Sequence, residues 1–372
     1  MIDTAADLAD ALAVLKTATE VAVDLEADSM FHYQEKVCLI QMATDRINVV
    51  IDPLPIGDLS SLKPLFAKRN VKKVFHGADY DVRSLFRDFG IVIHNLFDTQ
   101  VAAMFLGMRE TGLDAVLQQR FGIHLDKKYQ KKDWSCRPLP REMIEYAAGD
   151  VFHLLALARM MEKELAEKDR LWWVEEECRL LSLVRASEPD DSPLFLRIKG
   201  AGKLDRRGLA VLENLLELRH RIARKKDRPL FKVFGSKALM KIAADRPKTL
   251  RALEKCDGLS PRQVDMHGEA LIRCVTDGLA VPPPDLPTYP RTRSPSVPSC
   301  VPDRVLELRR WRDAEAEKLG IDPTLLFNKA TMGAIALEKP QTLKQLGGVE
   351  GIKSWQKKAY GRQVVTLLKG MR

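Results

Sequence analysis

Val21-Ala-Val-Asp-Leu-Glu26 is the stretch that most limits how this chain can fold. Val21, Val23 and Leu25 alternate with Ala22, Asp24 and Glu26, the period of two that marks a buried strand. Alternation sends Asp24 and Glu26 to one face, roughly 7 Å apart along the strand. Burial and like charge both resist ionisation, so two carboxylates on so apolar a strand are costly unless something compensates them. A divalent cation between them would do so. An exposed edge strand carrying two solvated acids would show the same letters, and this run alone does not separate the two.

The neighbouring sequence places the strand in an α/β domain. Residues 4–17 read as an amphipathic helix capped by Thr4, with Leu8, Leu12 and Leu15 on one face. Val37-Cys-Leu-Ile-Gln-Met42 and Ile47-Asn-Val-Val-Ile51 are strand-length runs joined by a polar turn, which makes an antiparallel meander with the first strand. Residues 60–68 look helical. Val71–Phe75 reads as a strand, followed by a helix to the stop at Gly90 and a return to the sheet at Ile91-Val-Ile93. Helices are expected at about 99–107 and 112–121, and one long helical stretch from Arg141 to Lys168 interrupted only by Gly149. Strands interleaved with helices, then helices alone, put the end of this domain near 170–190.

From about residue 195 the chain is helical and repeats itself. Leu215-Leu-Glu-Leu-Arg219, Ala238–Ile242, Arg246-Pro-Lys-Thr-Leu250 and Leu253 recur as Val305-Leu-Glu-Leu-Arg309, Met332–Ile335, Lys339-Pro-Gln-Thr-Leu343 and Leu346. A period this long is a duplicated domain, because solenoid units are shorter. Val281-Pro-Pro-Pro through Pro302 is proline-rich and reads as an extended linker. The expected division is 1–190, 205–280, a linker at 281–302, and 303–372.

The 372-residue chain carries a net charge of +9, an excess that favours a polyanionic partner such as nucleic acid. The six cysteines show no CxxC spacing and no paired framework, and read as reduced thiols. The start is acidic rather than signal-like, and no apolar run approaches membrane-spanning length. A cytoplasmic monomer with no membrane association is expected.

Further acids accompany Asp24 and Glu26. In Glu145-Tyr-Ala-Ala-Gly-Asp150, Tyr146 and Asp150 lie four apart, so both project from one helix face. Ala147, Ala148 and Gly149 between them would let the backbone approach another element. In His76-Gly-Ala-Asp-Tyr-Asp81 a strand ends and a helix begins. Asp79 and Asp81 there could each be a cap matched to the helix dipole, and the residues themselves do not decide between them. The basic loop Asp126–Asp133, with Lys127, Lys128, Lys131 and Lys132 around Tyr129 and beside Trp134, suits a surface that tracks a strand and stacks on bases. A solvated loop would read alike.

These motifs, in this order, resemble the ribonuclease D branch of the DEDD superfamily of 3′→5′ exonucleases. Its D-x-E matches Asp24 and Glu26, its H-x4-D matches His76 and Asp81, and its Y-x3-D matches Tyr146 and Asp150. Leu96-Phe-Asp-Thr99, Asp133-Trp134-Ser135 and Arg137-Pro-Leu139 are similar too. Asp24-Leu-Glu-Ala-Asp-Ser29 is closer to the nuclear-exosome relative. The duplicated tail resembles the HRDC domain, with the second copy divergent.

The resemblance implies an α/β ribonuclease H-like exonuclease domain, a mixed sheet flanked by helices, followed by two all-α HRDC domains. It implies two divalent metal ions, Mg²⁺ or Mn²⁺, with Asp24 bridging, Glu26 and Asp150 at one ion, and Asp81 at the other. Tyr146 would orient the attacking water. It further implies RNA with a single-stranded 3′ end as substrate, tRNA precursors above all, released as nucleoside monophosphates. Arg219, Arg224 and Lys225 of the first HRDC copy would add phosphate contacts, and a chain cut near residue 190 would keep its activity on short RNA. Two rivals stand beside this: a 3′→5′ DNA exonuclease on the same core, and a non-catalytic nucleic-acid binder that kept the fold.

Overall fold

A computed structural model describes residues 1–186, 191–290 and 298–371. It divides into two compact units. The first takes in Met1–Ala27, Val37–Ala186 and the described part of Ser294–Arg372; the second takes in Asp28–Lys36 and the described part of Ser187–Arg293.

The first unit is built on a five-stranded sheet in the order β3-β2-β1-β4-β5. The strands are β1 (Glu20–Ala27), β2 (Val37–Ala43), β3 (Asn48–Ile51), β4 (Lys72–Phe75) and β5 (Leu96–Asp98). β1 is central, antiparallel to β2 and parallel to β4. Its apolar residues Val21, Val23 and Leu25 face one side and are buried, which leaves Asp24 and Glu26 on the other. Helix α1 (Ala5–Leu15) starts at Thr4, whose hydroxyl accepts from Asp7 N. Next come α2 (Asp79–Phe89), α3 (Thr99–Phe105), α4 (Leu113–Phe121), α5 (Arg141–Phe152), α6 (Leu154–Glu167) and α7 (Leu171–Leu181). α5 lies on β1, β2 and β3. Where β2 runs past Glu26 the register slips: Glu26 faces Leu39 and Ala27 faces Val37, so Cys38 is bulged. Arg137 holds the bulge, donating to Cys38 O at 3.0 Å while its guanidinium pairs with Asp52.

Two sequence expectations are corrected. Ile91-Val-Ile93 is not a strand; the edge position belongs to Leu96–Asp98. Ile91 and Ile93 are buried in the core, and the chain reaches the sheet only after a left-handed residue at Asn95, whose carbonyl accepts from Lys73 N. Apolar alternation reports burial on one side, which a core-facing loop shares with a strand. The helix expected from Arg141 to Lys168 is two helices, parted at His153.

The C-terminal helices α11 (Val301–Leu319), α12 (Lys329–Glu338) and α13 (Ser354–Lys369) belong to this first unit and share its hydrophobic cluster. Glu176 on α7 accepts from the backbone N of Ser354 and Trp355, capping α13 from outside its own helix. Glu177 accepts from Lys353 Nζ and from Trp355 Nε1 at 2.8 Å. Buried Arg170 ties Phe105 O to Leu319 O. Gly107 lies so near the Gly320 carbonyl that a Cβ there would collide with it.

The second unit is a helical bundle of α8 (Arg206–Lys226), α9 (Ser236–Asp245) and α10 (Pro261–Ala280) around Leu212, Leu215, Leu216, Ile242 and Leu271. The duplication shows in structural detail. Thr249 and Thr342 are N-caps, Arg246 and Lys339 end their helices in the left-handed region, and the side chains of Gln263 and Gln356 each accept from the backbone N–H of their N-cap residue, Ser260 and Lys353. In this register Arg219 corresponds to Arg312, because both are buried and donate to the carbonyls of Phe234 and Phe327 respectively. The L-E-L-R match that paired Arg219 with Arg309 is therefore about one helical turn out of step.

Asp28–Lys36, the chain that leaves β1, is clasped into this second unit. Asp227, left-handed at the end of α8, takes His32 Nδ1 at 2.7 Å and Tyr33 N at 3.0 Å, while the Tyr33 hydroxyl meets His220 Nδ1 at 3.1 Å. Part of the expected linker is also packed: Tyr289 covers Gly202 and Phe195, and Leu286 O accepts from Arg206. Residues 291–297 of that linker lie outside the described residues. No helix among the described residues is long and apolar enough to cross a membrane.

Candidate active site

Three elements bring four carboxylates together. β1 presents Asp24 and Glu26, the first turn of α2 presents Asp81, and α5 presents Asp150. Burial pushes the Glu26 carboxyl up to about 10, with the charges of Asp24, Asp150 and Asp81 adding to the effect. Burial and then Asp24 raise Asp150 to about 8. Asp24 is raised by burial against the pull of the Leu25 N–H, and Asp81 by burial and the charges of Asp24 and Asp98. Burial and one another's charge are what raise these acids, a cost that positive charge in their midst would reverse.

The residues fit hard divalent ions. Among the described residues no three of these side chains close around one point. Two ions sharing four carboxylates do not require that, because Mg²⁺ keeps several waters and takes one or two protein carboxylates. The donors are all oxygen, as such ions prefer.

Asp79 and Asp81 part company here. Asp79 is exposed and pairs with Arg83 at 2.8 Å, whereas Asp81 is 6% exposed and joins the acids. A cap matched to the helix dipole has no reason to be buried among like charges. The turn before α2 is held by Asp98, a buried N-cap of α3 that accepts from Gly77 N, Ala78 N and Gln100 N. Its signal was present in the sequence as the Asp before a helix in Leu96-Phe-Asp-Thr99. His76 is anchored on both ring nitrogens, Nε2 donating to Thr111 O at 2.8 Å and Nδ1 meeting Thr99 Oγ1 at 2.9 Å.

Tyr146 stands one turn before Asp150, with Tyr129 edge-on at 5.7 Å and Trp134 at 6.1 Å between ring centroids. Burial, then the charges of Asp150, Glu26 and Asp24, raise its phenol well above the usual range, so the hydroxyl keeps its proton. Trp134 is 1% exposed, in a cluster with Leu39, Val50, Met143 and Ala147. The expectation that it stacks on bases is corrected: it backs Tyr146 instead. The role given to Gly149 is corrected too, since a Cβ there would meet nothing within 4 Å. The close approach falls to fully buried Ala147 and to Ala148, whose carbonyl accepts from Asn48 Nδ2 at 2.8 Å.

Asp24, Glu26, Tyr146 and Asp150 line a cleft of about 410 Å³ together with His76, Gln100 and Lys127. Lys127 is ion-paired with Asp114 at 2.7 Å, and Lys128 lies over the Tyr129 ring at 5.0 Å. Lys131 and Lys132 are exposed. In the second unit, Arg219 is no phosphate contact: it is buried, and its guanidinium is spent on Phe234 O and Ser236 Oγ. Arg224 lies over the Tyr33 ring at 5.7 Å, and Lys225 is exposed.

The chain is similar to known proteins along its whole length. Residues 1–166 match a 3′-5′ exonuclease family, and residues 208–275 and 302–368 each match the HRDC domain. A ribonuclease D of Gluconacetobacter diazotrophicus is 31% identical across 100% of this chain and 93% of its own. The crystal structure of Escherichia coli RNase D superposes with a TM-score of 0.75 at 26% identity, covering 100% of this chain and 98% of that one. The catalytic core of RRP6 from Trypanosoma brucei superposes with a TM-score of 0.65 at 34% identity, covering 76% of this chain and 80% of that one. With its acids and its two helical repeats in place, the chain belongs to the ribonuclease D family of 3′→5′ exoribonucleases.

Proposed function

We propose that this protein trims the 3′ ends of structured RNAs, tRNA precursors among them, hydrolysing successive phosphodiesters to nucleoside 5′-monophosphates with two divalent ions, Mg²⁺ or Mn²⁺. The observation that carries this reading is the set of four carboxylates that raise one another's pKa, Asp24, Glu26 and Asp150 in one cleft beside a protonated Tyr146 hydroxyl and Asp81 buried next to them. The structured substrate is supported by the similar Escherichia coli enzyme, described as an exoribonuclease involved in structured RNA processing.

A pair of divalent cations supplies Lewis acidity at the phosphate and lowers the pKa of water at neutral pH. The chain's own residues do the rest. Asp24, on the central strand, would hold both ions; Glu26 and Asp150 would hold one of them, and Asp81, behind the turn held by Asp98, the other. The phenol of Tyr146 is a weak base, so its work is to hold the attacking water by a hydrogen bond. The substrate is RNA with a single-stranded 3′ end, entering past Lys127 and the exposed Lys131 and Lys132. The chain is an exonuclease domain to about residue 190 with HRDC domains at 205–280 and 303–372, the second of them packed into the exonuclease unit, and it works as a cytoplasmic monomer.

The test uses 5′-labelled RNA and DNA of equal length, with Mg²⁺ or with EDTA. Stepwise shortening of RNA from the 3′ end that EDTA stops, and that Asp24→Asn abolishes while RNA is still bound, is the expected result. Faster shortening of DNA would favour a DNA exonuclease, and undiminished turnover in Asp24→Asn would remove the metal-site assignment.

A further inference from the structure

Gln41 lies in the middle of β2 with no exposed surface, and neither its Oε1 nor its Nε2 has a hydrogen-bond partner in the protein. A buried amide left this way is a standing cost that an apolar side chain of similar shape would not carry. Its position in the sheet gives it a neighbour. In the antiparallel ladder Gln41 is directly opposite Asp24 on one side and Val50 on the other. Directly opposed residues point to the same face, with Cβ atoms roughly 4.5–5.5 Å apart. That face also carries Leu39, two residues before Gln41, and is covered by α5 through Ala147. The unpartnered amide therefore stands against an apolar cluster, with Asp24 the polar residue directly opposite it in the ladder.

We propose that Gln41 is a positioning residue of the catalytic centre: its amide, unpartnered as it stands, turns to donate from Nε2–H to the Asp24 carboxylate when a divalent cation binds, and holds that carboxylate on the cation. This rests on the assignment of Asp24 as a metal ligand made above. A neutral amide suits the task. It orients a carboxylate without adding charge, whereas a lysine or arginine there would compete with the cation for the same oxygens. Partners of this kind fix the geometry of a ligand and are a regular feature of metal sites. The proposal also gives a reason why a central strand, otherwise apolar from Val37 to Met42, carries an amide at this one position.

Gln41→Met keeps the size and removes the amide. The full-length variant, stripped with EDTA, is expected to unfold at the same temperature as the parent or higher, because an unsatisfied buried group has gone. Its affinity for Mn²⁺, followed by the electron paramagnetic resonance of the free ion, is expected to fall about tenfold or more. In the Asp24→Asn background the same change is expected to do nothing further to Mn²⁺ binding, since the carboxylate it orients is absent. A folded Gln41→Met protein with the parent's Mn²⁺ affinity would overturn the proposal, and so would an equal loss with and without Asp24. Gln41→Leu, measured the same way, stands in should the methionine variant not fold. Failure of the parent itself to bind Mn²⁺ would sink the metal-site assignment and this proposal with it, an outcome distinct from a Gln41 variant that binds normally.

Discussion

Trp173 on α7 and Trp355 at the start of α13 stack with ring centroids 4.8 Å apart and 22° between their planes. Phe105 closes on both rings edge-on. The divergent second HRDC copy is thus part of the first unit's core. Its cations tell the same story: Arg312 is buried, Arg310 is paired with Glu307, and Arg309 faces Asp313.

Trp355→Ala should leave a cavity at this joint and destabilise the protein by about 3–5 kcal/mol, read from urea unfolding. A chain that stops before Val301 should bare Trp173 and Phe105 and aggregate or melt early. That departs from the sequence expectation of an active fragment ending near residue 190. A monomeric, active fragment with the parent's melting temperature would show the second copy to be dispensable.

Asp81→Asn should abolish hydrolysis, whereas Asp79→Asn should change it less than a few-fold. Asp79 only pairs with Arg83 on an exposed helix face, where such a pair contributes little. Steady-state rates on a short unstructured RNA decide it, and the reverse ranking would mean that the wrong acid has been placed in the site.

Tyr146→Phe keeps the ring between Tyr129 and Trp134 and removes only the hydroxyl. Metal and RNA affinity should hold while the single-turnover rate falls about 10²-fold, roughly 2.7 kcal/mol of barrier. The loss should be the same across neutral pH, because the phenol is protonated throughout. A variant as fast as the parent would leave the four acids as the whole site.

Lys73 offers a test of the fold by pH. Its side chain is fully buried, Nζ donates to Lys68 O and Val71 O, and burial pushes the amine down to about 8 from 10.5. The folded chain therefore releases this proton more readily than the unfolded one does. Stability from this group should be fully present above about 10.5 and lost as pH falls through about 8, with a slope of at most about 1.4 kcal/mol per pH unit between. The urea midpoint of the parent minus that of Lys73→Met should rise with pH across that window. A constant difference would mean the amine is not desolvated.

What the sequence determined by itself was local and periodic. Alternation in Val21–Glu26 placed both acids on one face of a strand, and the four-residue spacing placed Tyr146 over Asp150 on one helix. The Thr4 cap and the Gly90 stop were legible in the same way, because propensity and capping act within a turn or two. The residues themselves left Asp79 and Asp81 alike, since both occupy the first turn of α2; the family pattern chose Asp81, and the tertiary structure supplies the physical reason, burying Asp81 among the acids while Asp79 faces solvent. Burial likewise took Trp134 and Arg219 out of the set of RNA contacts, because nothing in a Trp or an Arg says whether its surface will be covered. The place of Val301–Lys369 in the catalytic unit rests on Trp173, Glu176 and Glu177 meeting Trp355 and Lys353. Those pairs stand far apart along the chain, and their contact is set by packing that no local pattern encodes.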